Sequence, residues 1–249
     1  MDADQKTVLT SSSSLLRITD SLTKLIDAAK IQDKQAKIQA RKYIDHTLIC
    51  LKGGYVSLRH NALRDLNAEM QREICKDVVV EPKLLPVRDG EVDGTSAVRA
   101  APDVSSRGLW STFERTFYDV RVLHPNCKSY KNMTLPALYS KHETAKMKKY
   151  NSRVLTVERA SFTPLVYTTF GGWAPQAVRY HKRMAEMIAN KRNESYRDVI
   201  KHIRTRVRFS LLRSVFIAIR GERGKKITAQ PLSSVAFNMV PEAMQYECF

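Results

Sequence analysis

Cysteine is scarce and scattered. The four cysteines, Cys50, Cys75, Cys127 and Cys248, lie far apart in 249 residues, and no two have the close spacing of a zinc ligand pair. That excludes the disulfide framework of a small secreted domain. Zinc is also disfavoured, because His46 and Cys50, four apart on one helix face, make only half of a four-ligand site. A secretory leader and any run of about 18 apolar residues are missing as well. Together these gaps imply a reduced intracellular protein, in nucleus or cytoplasm, with no membrane span. Acids are the other deficit: 25 Asp and Glu stand against 42 Lys and Arg, giving +17 and a pI near 9.8. A field of that sign attracts polyanions, so nucleic acid, double-stranded DNA first, is the expected partner.

The excess charge is concentrated. Between Lys141 and Lys226 there are 21 basic and 6 acidic residues, a net +15 out of +17. An apolar content of 43% is ordinary for a globular chain, so a packed core is expected beneath this surface. The oligomeric state is not readable from the sequence.

Three segments are expected: a helical, partly disordered N-terminal extension over 1–52, a main domain over 53–224, and a tail over 225–249. Leu15, Ile18, Leu22, Leu25, Ile26, Ala29 and Ile38 recur at helical intervals up to about Arg41. Gly53-Gly54 breaks the chain. A helix is predicted from Asn61 to about Lys76 on Leu63, Leu66, Met70 and Ile74, followed by a strand at Val78-Val79-Val80 that ends at Glu81-Pro82. Further helices are predicted over Pro136 to Arg153, Trp173 to Asn190 and Glu194 to Arg220, with Gly221 as a stop. Strands are predicted at Val154 to Glu158 and Leu165 to Thr169.

The chemistry centres on Pro102-Asp103-Val104 and Thr116 to Val122. Each is a short apolar run carrying one Asp, and Ser105 to Arg115 between them suits a tight connection, so an antiparallel pair with two carboxylates near one edge is expected. Hard cations such as Mg²⁺ take oxygen ligands, commonly one or two carboxylates alongside substrate phosphates. Arg121, two residues after Asp119, shares its strand face and is placed to hold a phosphate. Two alternatives stand beside this reading: Asp103 as a turn-forming residue after Pro102, and Asp119 with Arg121 as an ion pair on an exposed sheet. His60, His124 and His142 read as turn or surface residues.

The order helix with an acid, strand, strand near Pro-Asp, strand with Asp-x-Arg, helix, strand resembles the core of the PD-(D/E)XK nucleases, the restriction-endonuclease-like superfamily. Lys52-Gly53-Gly54-Tyr55, Arg59 to Leu66, Phe117 to Val122 with His124-Pro125-Asn126, and Ser161 to Val166 with Gly171-Gly172 further resemble a domain found behind retroelement reverse transcriptases. The resemblance covers roughly residues 46 to 224. The Cys-x-Cys pair that commonly precedes the His-x-x-x-Cys of that group is absent, as is any polymerase part.

The resemblance implies an α/β (α+β) fold with a mixed central sheet of about 4–5 strands flanked by helices. It further implies a metal-dependent DNA endonuclease of retroelement origin or, alternatively, a non-catalytic nucleic-acid-binding protein on the same fold. Asp103 and Asp119 would hold Mg²⁺ or Mn²⁺, with Glu69, in competition with Asp65, Glu73 and Glu81, as the acid from the first helix. Arg121 stands where the superfamily usually has Lys and cannot act as a base; Lys146 of the following helix is the candidate for that role. Arg204, Arg206, Arg208 and Arg213, interleaved with the apolar positions of the last helix, are expected to bind the nucleic-acid backbone.

Overall fold

The computed structural model describes residues 34–86 and 101–221. The leader, most of the helix predicted from Leu15, the loop from Arg88 to Thr95 and the tail from Lys225 lie outside the described residues. The elements are α1 (Lys34–Ile49), α2 (Tyr55–Ile74), β1 (Lys76–Val80), β2 (Val104–Arg107), β3 (Arg115–Leu123), α3 (Leu135–Thr156), β4 (Ser161–Thr168), α4 (Pro175–Arg192) and α5 (Tyr196–Arg220). The architecture is mixed α+β: a four-stranded sheet in the order β1-β2-β3-β4, antiparallel across the first three strands and parallel between β3 and β4, with helices on both faces. Among the described residues no helix is long and apolar enough to cross a membrane.

Local chemistry explains the punctuation. Gly53 and Gly54 both sit at left-handed φ, +81° and +77°, which ends the approach from α1 and starts α2 at Tyr55, six residues before the predicted start. The Thr134 hydroxyl accepts from the Ala137 N–H at the head of α3, and Pro136 occupies the first turn, where its missing N–H costs nothing. Pro175 opens α4 in the same way, and Asn193 closes it in the left-handed conformation. Pro164 is tolerated inside β4 because β4 is an edge strand.

The predicted strand at Val154 to Glu158 does not exist; those residues begin as the last turn of α3. Their β-branched run favours a strand locally, but Val154 continues the apolar stripe of α3 onto Phe117, Tyr150 and Phe162, and that burial decides the outcome. The predicted strand at Leu165 to Thr169 is the second half of β4, whose residues from Phe162 onward are all buried.

The two sheet faces differ. On one, Tyr118, Val120, Leu165 and Tyr167 meet α2, α4 and α5 in the main core. On the other, α3 covers two separate apolar clusters: Phe117, Tyr150, Val154, Ala160 and Phe162 at one end, Leu123, Leu138, Tyr139, Val166 and Ala174 at the other. Between them β3 places Asp119 and Arg121. The gap in the core face is polar, and it is where the predicted site falls.

Candidate functional site

Along β3, side chains alternate, so Phe117, Asp119, Arg121 and Leu123 share the face toward α3. Along α3, His142, Lys146 and Tyr150 recur every four residues and share the face toward β3. The two rows meet where the Lys146 ammonium pairs with Asp119 Oδ2, the side chains being only 18% and 4% exposed. Burial pushes the Asp119 pKa up and the charge of Asp103 adds to the rise, while Lys146 and Tyr150 pull it back. Tyr150 is held protonated, first by burial and then by the Asp119 charge. Its hydroxyl donates to the Ala101 carbonyl at 3.2 Å and accepts from Lys149 at 3.0 Å.

Asp103 lies one residue before β2. Continuing the Val104–Tyr118 pairing by one step sets it across from Asp119. The backbone departs from a regular ladder there: the Asp103 N–H donates to the Tyr118 carbonyl at 2.9 Å, and its own carbonyl accepts from Glu81 at 2.8 Å. The side chain completes the pattern, since Oδ2 accepts from the Val120 N–H at 2.6 Å. Oδ1 accepts from His60 Nε2 at 2.9 Å. Asp103 is thus a ladder residue held by two donors.

Glu69 is not part of this group. It is exposed and pairs with Arg206 at 2.9 Å. The residue that α2 brings to Asp103 is His60, nine positions earlier and so about 14 Å back along the helix. The rival acids are matched by arginines: Asp65 and Glu81 by Arg64, which also lies within electrostatic reach of Asp103, and Glu73 by Arg192. The three histidines also depart from expectation. His60 stands in α2 against a carboxylate. His124 is buried between Asp45 and Thr169 at 2.8 Å each. His142 is half-buried against Tyr130, its pKa pushed down to about 4 by burial and by the nearby Arg121, Lys141 and Lys146. The four-residue spacing of His142, Lys146 and Tyr150 was the available signal for their shared face.

Arg121 emerges beyond Asp119 and is exposed. The α5 arginines do not form one open basic row. Arg206 is tied to Glu69, and Arg204 acts on buried His181 and on Arg208. Arg208 lines a small recess with Leu48, Thr169, Phe170 and Leu211, and burial lowers its pKa. Arg213 has Nε and Nη2 buried without a hydrogen-bond partner. The reason is helical phase: basic residues interleaved with a core stripe flank that stripe and are drawn half under it.

Among the described residues no three His, Cys, Asp or Glu side chains are grouped to hold a metal ion. Asp103 and Asp119, close enough for the charge of one to raise the pKa of the other, supply two carboxylates, the minimal donor set of a hard cation that keeps water ligands; the oxygens engaged by His60, the Val120 N–H and Lys146 each retain a second lone pair. Cys50, Cys75 and Cys127 are free thiols. No family model matches the chain, and no curated protein matches it.

Proposed function

We propose that this chain is a PD-(D/E)XK-type nuclease of retroelement origin that hydrolyses phosphodiester bonds in DNA with Mg²⁺ or Mn²⁺. The observation that carries the reading is the meeting of Asp119 and Lys146 in the polar gap of the α3 face, with Asp103 across the ladder. The element order from α2 to β4 supports it, being helix, three strands, helix, strand. Asp103 and Asp119 would hold the ion, which when bound lowers the pKa of a water and stabilises charge on the scissile phosphate. His60 and the Val120 N–H fix the Asp103 carboxylate, so it needs no reorganisation. Lys146 supplies the lysine that position 121 lacks; it pulls the Asp119 pKa back against burial and orients water or phosphate. Arg121 holds the phosphate as a fixed cation.

One observation favours a second reading, a binding protein without turnover: Lys146 already neutralises Asp119. A plasmid-nicking assay separates them. The nuclease reading expects nicking of supercoiled DNA by purified protein in Mg²⁺ or Mn²⁺, abolished by Asp119→Ala with DNA binding retained. Binding without metal-dependent nicking at any protein concentration leaves only the second.

A further inference from the structure

We propose that the nucleic-acid backbone runs along the exposed flank of α3 and the loop beside it, on Lys128, Lys131, Lys141, Lys148 and Lys149, entering the site past Arg121 and His142. This rests on the nucleic-acid reading above and replaces the α5 arginines as the binding surface. Three observations carry it.

The first is helical phase. Lys141, Lys148 and Lys149 fall at intervals of seven and eight, on one flank of α3, with small Ala145 and Ser152 between them. That flank adjoins the row of His142 and Lys146 that meets Asp119. From Lys141 to Lys149 the helix rises about 12 Å, the axial length of three to four nucleotides at 3.4 Å each.

The second is availability. Lys128, Lys131, Lys141, Lys148 and Lys149 are exposed, and none forms an ion pair among the described residues. Glu143 of the same helix lies on the other side and accepts from the Gln176 N–H. Two of the lysines lie over aromatic rings: Lys141 Nζ is 5.9 Å from the centre of Tyr130, and Lys149 Nζ is 4.7 Å from that of Tyr150.

The third is an unused ring nitrogen at the head of the track. His142 Nε2 is buried without a hydrogen-bond partner, beside Arg121 and Lys146. Buried polar atoms are rarely left so. With its pKa near 4 the imidazole is neutral at pH 7, and in the tautomer protonated at Nε2 it would donate to a phosphate oxygen placed between it and Arg121.

The experiment is fluorescence anisotropy on a labelled 30-base-pair duplex, across a salt series, with the full chain and no divalent metal. Each phosphate contact removed lowers the slope of log K against log salt by about 0.9. Lys141→Ala/Lys148→Ala/Lys149→Ala is therefore expected to lower it by about 2.7 and to weaken binding at least tenfold. The control Arg197→Ala/Lys201→Ala removes two exposed cations of α5 and is expected to leave the slope unchanged. A control variant that loses slope while the α3 variant keeps it overturns the track and leaves the nuclease reading intact. Wild-type protein that binds no duplex overturns both.

Discussion

Replacing Lys146 with methionine keeps the stem of the side chain and deletes only its charge. Asp119, 4% exposed, would then be a buried carboxylate without its cation. Removing one partner of a buried ion pair costs about 3–5 kcal/mol, and for a domain of this size each kcal/mol lowers Tm by about 2–4 °C, so a loss of about 6–20 °C is expected at pH 7. The pH dependence follows from the sign of the shift. The folded-state pKa of Asp119 already lies above its ordinary value, so the folded chain binds the proton more tightly than the unfolded one. Stability from this group is therefore greatest below the unfolded pKa, falls as pH rises through the folded pKa, and is level above it. Lys146→Met moves the folded pKa further up. Its deficit relative to the native chain should be largest at pH 7–8 and shrink toward pH 5. Thermal unfolding followed by circular dichroism at four pH values measures this. The double variant Lys146→Met/Asp119→Asn should recover about 2 kcal/mol of the loss, a coupling readable from the double-mutant cycle. A Lys146→Met protein within about 2 °C of native at pH 7, or a deficit that grows on acidification, would refute the buried pair.

Three further outcomes are expected. Asp103→Ala strands the Val120 N–H and the His60 ring and should cost about 1–3 kcal/mol in urea unfolding, whereas Asp103→Asn keeps an acceptor and should recover most of that while still losing metal-dependent nicking. His181 is fully buried with its pKa pushed down to about 3, so unfolding takes up a proton and stability is lost as pH falls below 6.5, by about 2 kcal/mol at pH 5; His181→Gln should flatten that acid limb. Glu69→Ala breaks only an exposed pair with Arg206, so a change below about 1 kcal/mol and unaltered nicking are expected, and a loss of nicking would restore Glu69 to the site.

Most of the order of elements was legible because its punctuation is local: Gly53-Gly54, Pro136 and Gly221 each mark a helix boundary with a physical cause. Asp119 stood out because an acid amid strand formers needs a reason to be there, and the structure shows it buried against Lys146. Where the placement of a residue differs from expectation, the difference is one of phase and partnership. Glu69 was assigned by its place in a motif, but whether a helix acid reaches a strand depends on rotation about the helix axis, and α2 presents His60 instead. Val154 looks like a strand residue until Phe117 and Phe162 are known to lie beneath it. The α5 arginines were chosen by density of charge, yet density says nothing of what each guanidinium meets.

That distinction also bears on which helix would present the more attractive surface to a polyanion. A cation already matched by a carboxylate, as Arg206 is by Glu69, contributes little to a field beyond a Debye length of about 10 Å, because the pair is nearly neutral at that range. An unmatched lysine contributes fully. On α3 the lysines without an ion pair among the described residues crowd one flank, while Lys146 is matched by the residue proposed to do chemistry. A hydrophobic pair in place of Asp119 and Lys146 would join the two apolar clusters beneath α3 into one and be as stable or more so. The sheet instead keeps a buried charge pair at the one point where its covered face opens onto a basic surface. Stability alone gives no reason for that placement; under the proposed function, delivery of a phosphodiester to Asp119 would supply one.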